Sequence, residues 1–132
     1  MEVKAEQKFV RMSPRKIREI VPIVKSLTPA KALEVLPFIR RSANEPLIKV
    51  IKSAIANAKV RGLNEADLIF KEIQIGEGPR LKRWRPGARG RTKPYKRRMS
   101  HIRVVLVSKT TPSEKLKVKS LKPRERQRRL RK

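Results

Sequence analysis

Between a strand-like run at 68–75 and another carried by Ile102, Val104 and Leu106 lies a segment that cannot bury itself, residues 77–97. It holds nine Lys or Arg and one acidic residue, and four of the chain's five glycines (Gly76, Gly78, Gly87, Gly90) fall in or beside it. Loops beyond ~12 to 15 residues are uncommon in compact domains unless they are functional or disordered. If the flanking strands continue as a ribbon to a tip near Pro86-Gly87-Ala88, about 12 residues per arm at ~3.3 Å each give an arm of roughly 40 Å. An isolated two-stranded ribbon is marginal in water, so this one needs a surface to lie against. Phosphates meet that need: guanidinium forks bind them bidentately, and Trp84 or Tyr95 can stack on bases. The candidate contacts in the arm are Arg80, Lys82, Arg83, Trp84, Arg85, Arg89, Arg91, Lys93, Tyr95, Lys96 and Arg97, with Arg98 just beyond it.

The charge of the whole chain agrees with a polyanionic partner. In 132 residues, 37 Lys and Arg against 11 Asp and Glu leave a net charge of +26, whereas a small solvated domain carries roughly 2 to 8. The body (1–76 and 98–108) accounts for +9, the arm for +8 and the tail 109–132 for +9. The absence of cysteine removes disulfides and thiolate metal sites, and a single histidine cannot build a multi-His site, so no metal or cofactor is expected. The carboxylates are scattered, which argues against catalytic residues. Residues 1–9 alternate charged and apolar side chains and do not read as a signal peptide, and no stretch approaches ~18 apolar residues. A soluble protein with no membrane partner is expected.

In the body, Val3, Ala5 and Phe9 share one parity and Glu2, Lys4, Glu6 and Lys8 the other, the pattern of a half-buried strand. Ser13-Pro14 supplies a cap followed by a proline at the first helical position. Ile17, Ile20, Val21 and Val24 then keep a helical period, with a kink or early end at 19–21 ahead of Pro22. Thr28-Pro29 repeats the signature and opens a short helix bearing Ala32, Leu33, Val35 and Leu36, stopped around Pro37. The longest helix presents Leu47, Ile51, Ala54, Ile55 and Ala58 as one stripe up to Gly62. Its start is either the Ser42/Glu45 capping box or a point near Asn44, since Pro46 disfavours a helical Glu45. Strands follow at 68–75 and around Ile102, Val104 and Leu106. The order predicts an α+β fold, about three helices on one face of a small three-stranded antiparallel sheet with a long protruding β-hairpin.

Arg11, Arg15 and Arg18 are spaced i, i+4, i+7 and make one helix face basic, with Lys16 in the N-terminal turn, where anions are favoured. Lys49, Lys52 and Lys59 fall on the non-core side of the long helix and read as solvated. His101 reads as a surface or sheet-edge histidine. Asn57 either contacts RNA or faces solvent. The tail 109–132, with sparse apolar residues, is expected to be disordered alone and to order on a polyanion.

Taken together, Met12-Ser13-Pro14-Arg15-Lys16, Ser53-Ala54-Ile55-Ala56-Asn57-Ala58, Glu77-Gly78-Pro79 with Lys82-Arg83, Arg89-Gly90-Arg91 and Ser100-His101-Ile102 resemble, in order and spacing, the bacterial large-subunit ribosomal protein twenty-two family. The match covers about residues 2 to 108, and the hairpin is its most specific part. The resemblance implies three helices on a three-stranded sheet and a long hairpin that threads through rRNA. It also implies a tunnel-lining tip of Leu81, Lys82, Arg83, Trp84, Arg85, Pro86, Gly87, Ala88, Arg89, Gly90 and Arg91. Ser13 and His101, in the matching motifs, join the candidate rRNA-binding set. Gly87 stands where the family usually has a basic residue, and the tail extends past the family's usual end.

The reading is a single α+β rRNA-binding domain over 1–108, including the arm 77–97, followed by a basic tail. Its expected function is that of a non-enzymatic constituent of the large ribosomal subunit, cytoplasmic, which binds large-subunit rRNA, supports its assembly and lines the nascent-peptide exit tunnel. Expected partners are rRNA, neighbouring ribosomal proteins and the nascent polypeptide, without homo-oligomers. The alternative is a nucleoid-like DNA architectural protein whose ribbon enters a minor groove. RNA suits a Gly-rich, aromatic-bearing ribbon better, and no recognition helix with a dimer seam is visible.

Overall fold

A computed structural model describes residues 1–109 of the chain; the tail beyond Lys109, and the expectation made for it, lie outside them. The order is β1 (Glu2–Val10), α1 (Pro14–Arg18), α2 (Val21–Lys25), α3 (Pro29–Val35), α4 (Asn44–Val60), β2 (Leu68–Pro86) and β3 (Thr92–Ser108). The sheet order is β1-β3-β2, with both pairings antiparallel. This is the expected α+β architecture, and the helices pack on one face of the sheet. Val3 and Ala5 pair with Leu106 and Val104 on that face, where Ile102 joins them. They meet Ile17, Val24, Leu36, Leu47, Ile51 and Ala54 of the helical layer, all essentially inaccessible.

Local chemistry explains most of the boundaries. Pro14 opens α1 after Ser13, and Pro22 sits in the first turn of α2, so the run that keeps helical period is broken into two pieces at Glu19-Ile20. Ser13 and Thr28 hold cap positions in extended conformation, but neither side chain makes a capping hydrogen bond. The Ser42/Glu45 box does not form either: α4 starts at Asn44, and Glu45 pairs instead with Lys49 one turn on, at 2.6 Å. Asn44 is buried and its Nδ2 donates to the Leu36 carbonyl at 2.8 Å and to that of Ile39, closing the 3₁₀ turn Leu36–Phe38 onto the helix start. At the other end Gly62, at φ +71°, lets its N–H reach the Lys59 carbonyl while Leu63 N–H reaches that of Ala58, which satisfies the last helical carbonyls.

One core assignment fails. The alternation puts Phe9 inward with Val3 and Ala5, yet Phe9 is 56% exposed and Val10 is buried. Register jumps from Gln7 opposite Ile102 to Val10 opposite Ser100, so Lys8 and Phe9 together face His101 in a β-bulge. Phe9 takes φ +58°, rare for a bulky side chain. Two adjacent apolar residues can exchange inside and outside by a slip of one, and alternation alone cannot say which is inside.

Candidate nucleic-acid interface

β2 and β3 continue past the body as one antiparallel ribbon, paired from Arg80 opposite Arg98 to Pro86 opposite Thr92. The arm read from the sequence is present as a hairpin, with its turn at 87–91, slightly beyond the Pro86-Gly87-Ala88 tip expected. A bulge at Gly78-Pro79 marks its root, and a Cβ at Gly78 would lie 3.1 Å from the Met99 carbonyl carbon and 3.3 Å from His101 Nε2. A side chain there would push the strands apart by a few tenths of an ångström.

Pairing sorts the arm's side chains onto two faces. One carries Arg80 opposite Arg98, Lys82 opposite Lys96 and Trp84 opposite Pro94; the other carries Leu81 opposite Arg97, Arg83 opposite Tyr95 and Arg85 opposite Lys93. Three of these pairs set like charges directly across the ribbon, which destabilises it. No carboxylate occurs from residue 78 to residue 113 to compensate. Glu77 approaches Arg80 at 3.8 Å, but both are half exposed and such a contact stabilises little. Arg85 lies over the Tyr95 ring, 4.7 Å from its centroid, and Trp84 is 63% exposed.

At the tip, Gly87 N–H donates to the Arg91 carbonyl at 2.6 Å, and Arg89 and Gly90 adopt left-handed φ values of 55° and 70°. A Cβ at position 87 would stand 2.9 Å from that carbonyl oxygen. The turn therefore leaves no room for a side chain at 87; Arg89 and Arg91 carry the tip's charge.

The body's candidates divide. Arg11, Arg15 and Lys16 are exposed, and Ser13 is half-buried. Arg18, read as part of the same basic face, is exposed and also donates to the Ile75 carbonyl at 2.9 Å, joining α1 to β2. His101 is not at a sheet edge, because β3 is the central strand; its Nδ1 accepts the Phe9 N–H at 3.0 Å, and the two rings meet edge to face with centroids 5.0 Å apart. Asn57 is exposed, and its Nδ2 donates to the Lys4 carbonyl at 3.1 Å, which pins α4 to β1, as Arg61 does through the Glu2 carbonyl at 2.7 Å. Lys49 and Lys59 are paired with Glu45 and Glu65 on the solvated side of α4.

Carboxylates with strong partners thus sit on the body. Lys71 beside Glu2, and Lys49 beside Glu45, each by hydrogen bond and charge, hold those carboxyls below their ordinary value. Among the described residues no three His, Cys, Asp or Glu side chains gather as a metal site, and no helix is long and apolar enough to cross a membrane. Phe9 is the residue of this surface that pattern reasoning missed, and its sequence signal is the Phe9-Val10 doublet, which breaks the alternation.

A small α+β body bearing a long, uncompensated cationic ribbon with exposed aromatic rings has the electrostatic footprint of a nucleic-acid-binding protein. The sequence profile of the family described as Ribosomal protein L22p/L17e matches residues 5–107. The chain belongs to that family of large-subunit ribosomal proteins. It is 44% identical over 109 residues to the "Large ribosomal subunit protein uL22" of Desulfitobacterium hafniense (strain Y51), covering 82% of this chain and 96% of the relative. To proteins of the same name it is 42% identical in Syntrophus aciditrophicus (strain SB), covering 83% of this chain and 100% of the relative, and 41% identical in Bifidobacterium animalis subsp. lactis (strain AD011), covering 83% and 97%.

Proposed function

We propose that this chain binds large-subunit rRNA, supports assembly of the subunit and, with residues 81–91, lines the nascent-peptide exit tunnel, acting as a structural and not a catalytic component. The observation that carries the reading is the ribbon's set of directly opposed cations, Arg80 with Arg98, Lys82 with Lys96 and Arg85 with Lys93, without a carboxylate beyond Glu77. Such an arrangement opposes the hairpin's own folding and makes sense only where phosphates surround it. Arg11, Arg15 and Lys16 extend the basic surface to the body, and Trp84 and Tyr95 offer rings to unstacked bases. Neighbouring ribosomal proteins and the nascent chain complete the proposed partners.

The test is incorporation. The tagged chain should sediment with large subunits through high-salt gradients, and hydroxyl-radical cleavage of the rRNA should be suppressed along a track matching the arm. Deleting Leu81-Lys82-Arg83 should spare incorporation and alter nascent-chain stalling or the response to tunnel-binding antibiotics. The double swap Arg15→Glu with Arg18→Glu should impair docking. Absence of the chain from the subunit, or equal binding to random duplex DNA and structured rRNA at 200 mM salt, would overturn the reading.

A further inference from the structure

The helix-free face of the sheet carries a feature that neither the arm nor α1 accounts for. At the arm's root two bulges flank β3, Lys8-Phe9 in β1 and Gly78-Pro79 in β2, and His101 lies between them. Its Nδ1 accepts the Phe9 N–H, and its Nε2 points toward Gly78. Phe9 is held at φ +58° with its ring against His101 and more than half of the side chain in solvent. A bulky residue held in left-handed conformation so as to expose an aromatic ring works against both backbone preference and burial. Such an outlier in an otherwise regular strand points to a use for the ring.

What lies beside the ring suggests that use. Gly76 pairs with His101 and adds no side chain, so the sheet surface there is open. The adjoining row on the same face sets Arg103 between Glu6 and Gln74, directly opposite both. Glu6, Gln74, Ile75, Gly76, His101 and Arg103 line a shallow hollow of about 450 Å³. The two rows are two residues apart along the strands, about 7 Å, within reach of the edge of a planar ring stacked on the aromatic pair. An acceptor-only carboxylate, a donor-only guanidinium and an amide are groups that read a base edge; the Gln74 Nε2 donates to Glu72 Oε1 at 2.6 Å, which leaves its oxygen to accept. Lys8 and Arg11, exposed on either side of the bulge, supply charge for the attached phosphates.

We propose that the hollow lined by His101, with the exposed Phe9 ring against that imidazole at its margin, holds the base of one unpaired rRNA nucleotide, stacked beside the aromatic pair and hydrogen-bonded by Arg103, Gln74 and Glu6. The proposal rests on the rRNA-binding reading above and adds a base-specific contact at the arm's root. A protein segment could also cover an exposed phenylalanine, but the flanking cations and the mixed donor and acceptor row favour a nucleotide.

Photocrosslinking separates these cases. Full chain with Phe9→p-benzoylphenylalanine, reconstituted into large subunits and irradiated, should crosslink to a single rRNA nucleotide. That base should react with dimethyl sulfate or carbodiimide in protein-free rRNA and be protected in the subunit. Phe9→Ala and Phe9→Leu should restore its reactivity and weaken binding to large-subunit rRNA roughly 5- to 150-fold, while Phe9→Tyr retains both. At saturating protein, hydroxyl-radical protection along the arm should be unchanged in every variant. Crosslinks to a neighbouring protein or to no nucleotide, with arm protection intact, would overturn the base site and leave the rRNA reading standing. So would Leu and Tyr variants of equal melting temperature that bind alike. Loss of arm protection in the unaltered chain would refute both.

Discussion

The guanidinium of Arg18 donates to the main-chain carbonyl of Ile75 across 2.9 Å, tying the last residue of α1 to β2 just before that strand leaves the body as the arm. β2 is an edge strand of the sheet, and Arg18 covers part of that edge. Three arginines spaced along one basic face therefore do different work: Arg11 and Arg15 are free at the surface side, while Arg18 sets the arm's root against α1.

Arg18→Ala should lower the stability of the free protein by about 1 kcal/mol, since the bond is charge-assisted but exposed. Arg15→Ala should change stability by less than ~0.5 kcal/mol and make the log-log salt slope of rRNA binding shallower by ~0.7 to 0.9. Urea denaturation and salt titration of rRNA binding distinguish the two. Indistinguishable variants would mean that Arg18 contributes only charge.

Asn44 presents a different economy, because its amide is buried and bonds two carbonyls of the preceding turn, Leu36 and Ile39. Asn44→Ala leaves both acceptors short of a donor, at a cost of about 1 to 3 kcal/mol. Asn44→Asp should be worse, since a carboxylate offers no hydrogen to those oxygens. Thermal melts of the three proteins should rank wild type above Ala and Ala above Asp.

The hairpin and the helical stripe were legible in the sequence because each is written in a repeating pattern. Leu47, Ile51, Ala54, Ile55 and Ala58 keep their period and all are buried, and a glycine-rich basic segment between β-branched runs left little but a ribbon. What could not be read depends on single contacts across the fold. Phe9 turned outward because one bulge residue shifts the register, and the Phe9-Val10 doublet breaks the alternation without saying which of the two lies inside. Ser13, Thr28 and Ser42 stand at cap-like positions, yet none makes a side-chain cap bond at its helix; α4 begins instead where Asn44 finds carbonyls eight and five residues back. The assignments of Arg18, Asn57 and His101 likewise turned on partners 57, 53 and 92 residues distant. The candidate surface was visible as composition; which of its members only face solvent and which also hold the fold was not.

Acid should loosen the body through two exposed carboxylates. Glu2 is held below its ordinary value by the hydrogen bond and charge of Lys71, and Glu45 by those of Lys49. A depressed carboxyl stabilises the folded state above its unfolded value, and that contribution disappears as pH falls through the lower folded value. Stability should therefore decline as pH drops below about 4.5. The double variant Glu2→Gln with Glu45→Gln should flatten this part of the curve, and added salt should mimic the variant because both pairs are exposed. Chemical denaturation across pH 2.5 to 6 checks the sign; a double variant with an unchanged acid limb would show that other carboxyls control it.

The arm offers a test in which stability and binding should move in opposite directions. Lys82 and Lys96 face each other across the ribbon, and no carboxylate occurs nearby to relieve them. Lys96→Glu replaces a like-charge pair with an opposite-charge pair, an exchange worth roughly 0.2 to 1 kcal/mol at a directly opposed position. Amide exchange at the strand positions around residues 81–85 of the free protein should slow accordingly, while the melting temperature of the body, whose core lies elsewhere, should hold. On rRNA the same change removes one phosphate partner and sets a carboxylate among the phosphates. Affinity should fall and the salt slope become shallower by ~0.7 to 0.9. The double variant Lys82→Glu with Lys96→Glu should lose the gain in ribbon stability and bind rRNA more weakly still, with two anions opposed in the free ribbon and two phosphate contacts gone. If Lys96→Glu left both the exchange rates and rRNA affinity unchanged, the opposed cations would be ordinary solvated charges and the ribbon would hold its shape without a polyanion.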